Sequence, residues 1–423
     1  MSPCVIRNAR VIDPESDRDE QTDILVEDGH IAAIGHGFHT YENDIDATGL
    51  IAAPGLVDMR VITGEPGTEN CESIASAAKA AAAGGVTTIV IMPDTNPVID
   101  DMSLVNYVQR KGEDTDIKIQ VAGALTKGLD GRTLTEIGLM SQEGAVMFSS
   151  GATPITNALT MRRILSYSAG FNALVANRAK DPALTHETCV HESDFSARLG
   201  LTGAPSIAER IMVERDVALA ELTGGRLLID MISSQEALAV VRRAKMRDVD
   251  IACSVSINHL CLNENDIGDY RTFAKLDPPL RDETDRLALL QGVGDGTIDV
   301  IVSAHDPRPA GEKRLPFEEA SPGAVGLELL LAAGLSQVAD NALDLMTYLR
   351  AVTLNPADLL DLPQGRLSEG APADIVLFDP DKPWVVDSDA LVSQSNNTPF
   401  DDSRLTGKAV VTICDGRVVA HYR

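Results

Sequence analysis

The stretch Ala53-Pro54-Gly55-Leu56-Val57-Asp58-Met59-Arg60-Val61-Ile62-Thr63-Gly64-Glu65-Pro66-Gly67 decides how this chain folds. Its apolar middle, between Pro-Gly and Glu-Pro-Gly, reads as a strand. Residues two apart on a strand point to the same face, so Arg60 and Ile62 share one face near the strand's end. Downstream, helical stretches alternate with apolar runs: Ile74 to Ala83 then Thr87-Thr88-Ile89-Val90-Ile91, Ala208 to Leu222 then Leu227-Leu228-Ile229, and Leu287 to Val293 then Val300-Ile301-Val302. That alternation indicates an α/β fold with a TIM-type (β/α)8 barrel, whose sites lie at the C-terminal ends of the strands.

The chain ends read differently. Asp23-Ile24-Leu25-Val26-Glu27-Asp28-Gly29-His30-Ile31-Ala32-Ala33-Ile34-Gly35 is a hairpin turning at Asp-Gly, and Val410 to Val419 repeats the pattern around Asp415-Gly416. The expected division is a β part over 1–53, a barrel over 54–362 and a second β part over 363–423. A length of 423 residues can bury one large barrel core and a smaller domain. Met1-Ser2-Pro3-Cys4-Val5-Ile6-Arg7 begins a strand-like segment rather than a basic, apolar leader, and the chain has no long uninterrupted apolar run. The six cysteines are scattered without a Cys-x-x-Cys pair, which favours reduced thiols. These features point to the cytoplasm. A net charge of -27 argues against nucleic acid and anionic membranes as partners; a salty habitat would produce the same acidity. No phosphate-binding Gly-x-x-x-x-Gly-Lys-Ser/Thr loop and no Gly-x-Ser-x-Gly elbow occurs, and Gly84-Gly85 reads as a helix stop.

The opening stretch resembles the dihydroorotase family of the amidohydrolase superfamily, where it reads P-G-x-x-D-x-H-x-H-x-R-E-P-G. Asp58 and Glu65-Pro66-Gly67 match; Arg60 and Ile62 stand where the family has its two metal-binding His, and Gly64 stands for the Arg. The resemblance continues through Gly200-Leu201-Thr202-Gly203-Ala204-Pro205, Thr353-Leu354-Asn355-Pro356-Ala357, Ala371 to Asp379 and Asn396-Asn397-Thr398-Pro399-Phe400. It is closest to the long, multifunctional-complex type, and it implies that both chain ends pair into one small β-sandwich.

Further family positions are replaced in the same way. Phe148-Ser149-Ser150-Gly151 has Ser150 where the family carries an Asp, and Val175-Ala176-Asn177-Arg178 has Asn177 for a His. Leu228-Ile229-Asp230-Met231-Ile232-Ser233-Ser234 has Met231 for a His, and Val302-Ser303-Ala304-His305-Asp306-Pro307-Arg308 has Ala304 for the catalytic Asp. Ile62 has no lone pair and Arg60 cannot realistically be deprotonated to become a ligand. The loss matters because a divalent metal lowers the pKa of its water from about 15.7 to about 7, worth on the order of 12 kcal/mol. Met92-Pro93-Asp94-Thr95-Asn96-Pro97 and Asp277-Pro278-Pro279-Leu280-Arg281 carry Asp94 and Asp277 for family Asn. The expected residual pocket is Gly64, Asp94, Asn96, Asp277, His305 and Arg308, with Arg60 filling the metal position and Asp94, Asp277 and Asp306 as partners for the two arginines.

The expectation is therefore a non-catalytic pseudo-dihydroorotase of pyrimidine biosynthesis, with no catalytic residue, no metal and no cofactor. The resemblance implies a structural or regulatory partner of aspartate carbamoyltransferase; a homo-oligomer is also left open. One alternative is an active dihydroorotase or other cyclic amidohydrolase with an unrecognised site, which would require zinc. Another is a sensor in which Arg60 and Arg308 bind an anionic pyrimidine-pathway metabolite. His186-Glu187-Thr188-Cys189-Val190-His191 lacks His-Glu-x-x-His spacing and is set aside as a metal motif. His259 and His305 read as hydrogen-bonded structural residues, and His30, His36, His39 and His421 as surface groups.

Overall fold

The structure, a computed structural model, describes residues 3–422; Met1 and Ser2, the start of the expected first strand segment, lie outside the described residues. Eight parallel strands follow one another in hydrogen-bonded order: Leu56–Val61, Val86–Ile91, Lys118–Ala124, Ala145–Ser149, Val175–Arg178, Leu227–Asp230, Ile251–Ser256 and Val300–Val302. The last meets the first where Ile62 N–H donates to His305 O at 2.9 Å. Beneath that junction the Ser303 hydroxyl donates to Asp58 Oδ2, and Ser303 N–H to Asp58 Oδ1 at 3.4 Å. This is the expected α/β barrel, and strand alternation fills it. Met59, Val90, Ala122, Met147, Leu228 and Val300 pack inside, while neighbours such as Ile89, Val121, Phe148, Ile229 and Ile301 face the helices.

The first barrel helix, Ile74–Ala83, shows why a local sequence suffices. Ser73 and Ser76 form a reciprocal N-terminal cap, Ala77, Ala78, Ala80, Ala81 and Ala82 bury one close-packed side, and Gly84 caps the C-terminus. A Cβ on Gly84 would lie 2.2 Å from Leu327 O, and Gly85 takes φ +81°, so the Gly-Gly pair ends the helix for steric as well as conformational reasons.

Both chain ends build one mostly antiparallel sheet in the order Arg417–His421, Arg404–Cys414, Ile375–Val385, Ile51–Pro54, Cys4–Asp13, Arg18–Glu27, His30–Gly35, with Ile45–Asp46 paired to Cys4–Asp13. The sheet curls so that its two Asp-Gly turns meet: Ala373 N–H donates to Gly29 O at 2.9 Å and Gly416 N–H to Ala373 O at 3.0 Å. Period-two alternation gives the central strands two faces. Ala52, Ile375 and Leu377 face the sheet's own core, whereas Ile51, Ala53, Val376 and Phe378 join the barrel's outer core. An irregularity in register places Leu377 opposite Val411 and Phe378 opposite Ala409, so Val410 is the extra residue. That bulge keeps Val411 and Ile413 in the small core and Ala409 in the large one. No helix among the described residues is long and apolar enough to cross a membrane.

The Asp58 carboxyl that helps close the barrel is fully buried, and burial pushes its pKa up to about 6 against the lowering effect of the Ser303 hydroxyl. A carboxyl raised on folding contributes stability that is fully present below its unfolded value and lost as pH rises through the folded one. Relative to Asp58→Asn, whose side chain does not titrate, the native chain should lose about 3 kcal/mol between pH 4 and 6 and stay level above. Denaturant unfolding of both proteins across that range checks this, and a pH-independent difference refutes it.

Candidate active site at the barrel mouth

Arg60 is the centre of the mouth. The first strand delivers its side chain, 4 % exposed, into the barrel opening, where Nε–H donates to Asp230 Oδ2 at 2.9 Å from the end of the sixth strand. Burial opposes the charge, but Asp230, with Asp94 and Asp306 behind it, outweighs burial and holds the guanidinium above its ordinary pKa. The expected partners for Arg60 were Asp94, Asp277 and Asp306; its hydrogen-bonded partner is Asp230, which alternation aims inward from the sixth strand, across the barrel opening. Ile62, Met231 and Ala304 line the same opening. Met231 and Ala304 keep left-handed backbone, φ 54° and 52°, a conformation that costs a non-glycine residue and persists because the surrounding strands impose it.

The remaining sequence candidates divide. Asp277 and Arg308 line the mouth cavity, of about 60 Å³. Arg308 Nη2 donates to Asp306 Oδ2 at 2.9 Å, the expected pairing. Asp277 lies 3.4 Å from Arg178 Nη2 and 3.3 Å from Lys180 Nζ; burial pushes its carboxyl up, but those two cations outweigh it and hold it below its ordinary value. Asp94 Oδ1 accepts Ala152 N–H at 2.7 Å, and its carboxyl is raised by burial. Ser150 Oγ accepts Arg178 N–H at 3.0 Å. Asn177 does not face the mouth: its amide donates to Asp216 Oδ2 at 2.7 Å on the helix side, and the side chain this strand delivers to the cavity is Arg178. His305 also points away, its Nδ1 accepting Gly326 N–H at 3.2 Å and its Nε2 lying 3.6 Å from Glu72 Oε2. Gly64 lies in a turn where a Cβ would come within 1.8 Å of Thr68 O, and Asn96 is exposed outside the cavity.

The fold therefore does not present the family's metal-ligand chemistry at the strand ends. A guanidinium, a branched alkyl, a thioether and a methyl cannot together hold a divalent cation, and no chemical step is derived through a metal there.

A second cleft of about 170 Å³ adjoins the mouth across Arg178, Leu276, Asp277 and Pro322, and adds Lys180, Cys189, Glu209, Lys275 and Arg281 to its walls. Below it runs a buried network. Glu209 accepts Ser233 and Ser234 N–H, each at 3.0 Å. Arg281 donates to Ser233 Oγ at 3.1 Å and to His191 Nδ1 at 3.0 Å, and lies 3.6 Å from Glu209. His191, Asp282 and Asp285 offer ligand atoms within 4.8 Å of one another. Burial and the Arg281 cation lower His191 to about 4, so its ring is neutral, and burial raises Asp285 to about 6. A neutral imidazole and two carboxylates suit a divalent cation. Arg281 holds the Nδ1 lone pair in this arrangement, so loading there requires Arg281 to move. Sequence reasoning missed this cluster because it spans some ninety positions: His191 ends the short strand Val190–His191, while Asp282 and Asp285 are the N-cap and third residue of helix Glu283–Gly294. The only signals were a His set aside on spacing and an acidic helix start just after Arg281.

Residues 49–237 match the family described as Dihydro-orotase-like, and residues 152–419 match the Amidohydrolase family. Dihydroorotases of Pelobacter propionicus and Clostridioides difficile are 40% and 38% identical to this chain, each over 98% of it and 99% of their own length. The L-hydantoinase (dihydropyrimidinase) of Arthrobacter aurescens superposes with a TM-score of 0.90 at 25% identity, covering 100% of this chain and 96% of its own. A dihydropyrimidinase from Brevibacillus agri shares the fold, with a TM-score of 0.86 at 20% identity over 99% of this chain and 95% of its own. These findings correct the expectation of a non-catalytic partner of aspartate carbamoyltransferase. Relatives similar from end to end are dihydroorotases, and the fold assembles a His–Asp–Asp cluster that inspection of the strand ends alone could not find. They favour the alternative, a cyclic amidohydrolase with a site elsewhere.

The Arg60–Asp230 pair makes a sharp energetic prediction. Arg60→Met alone leaves Asp230 buried and unpaired and should cost ~3–5 kcal/mol in denaturant unfolding, whereas adding Asp230→Leu should recover most of that loss. A single variant as stable as the parent would show that the pair is not what neutralises Asp230.

Proposed function

This chain belongs to the dihydroorotase-like family of amidohydrolases, and from that membership we propose that it is a cyclic-amide hydrolase, a dihydroorotase or a close relation, whose chemistry runs outside the strand-end positions. The observation that carries the proposal is 38–40% identity to dihydroorotases over 98% of the chain. The substrate ring lies in the cleft beside the mouth, since the mouth cavity of about 60 Å³ has room for little more than two waters. Arg178 and Lys180 there receive negative charge on the substrate or developing on its opened ring. Asp277, held charged between them, positions both cations and is too weak a base to take a proton. Arg281 joins the cleft to His191: Nη1–H on Nδ1 fixes the ring, and Glu209 at 3.6 Å is where the guanidinium can fall back when the lone pair is released. A divalent metal held by His191, Asp282 and Asp285 would supply a water acidic enough to attack an amide carbonyl near neutral pH. The proposal places the reaction in the cytoplasm, whose reducing conditions suit six free thiols.

Full-length protein purified from zinc-supplemented medium should retain zinc by elemental mass spectrometry and interconvert dihydroorotate and carbamoyl aspartate. His191→Ala should lower turnover at least ~100-fold while leaving the circular dichroism spectrum unchanged. Metal-loaded, folded protein that turns over neither dihydroorotate nor a neutral cyclic ureide would overturn the proposal.

A further inference from the structure

The segment Asn396-Asn397-Thr398-Pro399-Phe400 lines neither cavity, yet it is fastened to the barrel mouth. It lies in the connection between strands Ile375–Val385 and Arg404–Cys414 of the small sheet, and residues 392–397 form a strap tied to the barrel's loops. Glu328 accepts Val392 N–H at 2.8 Å and Ser393 N–H at 2.9 Å, Glu72 accepts Gln394 N–H at 3.1 Å, and Ser395 Oγ donates to Cys71 O at 2.8 Å. Asn397, 1 % exposed, ends the strap. Its Oδ1 accepts Arg308 N–H at 3.0 Å, its Nδ2 donates to Gly323 O at 3.0 Å and to Asp306 O at 3.4 Å, and its backbone O accepts Val325 N–H at 3.1 Å. One buried residue thus joins two stretches that follow the eighth strand, 306–308 and 323–325. Between them stands the wall that divides the cavities. Pro322 lines both, and its O accepts Arg308 Nε–H at 2.9 Å; Gly323 N–H donates to Lys275 O at 3.1 Å. Gly323 takes φ +132°, and a Cβ there would lie 2.8 Å from Asp306 Oδ2, so the wall has no slack on the mouth side.

We propose that Asn397 is a positioning residue, which from outside both cavities sets the place of Pro322 and so the shape of the cleft. The position demands an amide. Oδ1 meets a donor and Nδ2 meets two carbonyls, so a carboxylate would set acceptor against acceptor, and an alkyl side chain would leave Arg308 N–H and Gly323 O buried without partners. Arg308 carries the effect onward, because its guanidinium bridges Pro322 O and Asp306 Oδ2. Loss of the amide frees the wall at one edge of the cleft, whereas His191 and Asp285 are held from other segments, by Arg281 and by Gln235 N–H. The consequence for catalysis rests on the reading of that cleft as the seat of a cyclic-amide substrate: a mobile wall weakens substrate binding and leaves the attacking water untouched, which raises KM and not kcat. The consequence for the wall itself does not rest on it.

Amide hydrogen exchange of the full chain, read residue by residue, tests the positioning, and steady-state kinetics of the zinc-supplemented protein with dihydroorotate tests its use. Asn397→Leu should speed exchange at least ~10-fold at Gly323, whose own N–H bonds to Lys275 and not to Asn397. It should raise KM about 10-fold with kcat within about twofold. Ser395→Ala, which cuts the strap's bond to Cys71 and none at the wall, should change neither. Unaltered exchange at Gly323 in Asn397→Leu refutes the proposal, as does a fall in kcat at constant KM or an equal response to Ser395→Ala. A native chain that hydrolyses no cyclic amide refutes the hydrolase reading instead, and exchange at Gly323 then decides the role of Asn397. If Asn397→Leu does not fold, the native chain decides: the amides of Arg308, Gly323 and Val325 should open together with protection equal within about threefold, and a spread of about tenfold or more refutes the proposal.

Discussion

A guanidinium held almost dry at the open end of a parallel barrel is the constraint to which the rest of the mouth answers. Arg60 cannot lose its proton, so its burial is tolerable only beside a carboxylate, and the sixth strand supplies Asp230 at 2.9 Å. The effect spreads because one buried charge orders the next. Asp94 and Asp306 add to the negative field around Arg60, Asp306 is tied to Arg308, and Asp277 holds Arg178 and Lys180. The strand ends are thereby filled by ion pairs, and the backbone at Met231 and Ala304 keeps its left-handed turns around them.

That filling divides the top of the barrel into two compartments with different chemistry. The mouth is small and crowded with arginine–aspartate pairs. The adjoining cleft is about three times larger, carries cationic walls, and rests on the Glu209–Arg281 network that reaches His191. Arg178 and Asp277 line both cavities and pair with each other between them.

Much of the architecture was legible along the chain. The βα alternation, the Asp-Gly hairpins at both ends and the Gly84-Gly85 stop all rest on local periodicity or steric demand, and each appears where those rules put it. The site was legible in part. Arg60, Ile62, Met231 and Ala304 do converge, because strand ends of a barrel converge whatever residues they carry. Which way Asn177 faces was not legible: on a strand one position is the difference between the helix side, where it meets Asp216, and the mouth, which Arg178 enters. The His191, Asp282 and Asp285 cluster was invisible, since its members lie on a short strand and a helix start that share no sequence pattern.

By itself the sequence determined the fold and the kinds of side chain that stand at the strand ends, because backbone periodicity and the chemical identity of a side chain are local properties. Only the tertiary structure decided that Asp230 is the partner of Arg60, that His305 turns toward Glu72 instead of the mouth, and that His259 keeps an open lone pair. Hydrogen bonds and charge pairing act over a few ångströms in space. Which distant residues fall within that reach is set by how strands register and curl into the barrel, and no reading along the chain contains it.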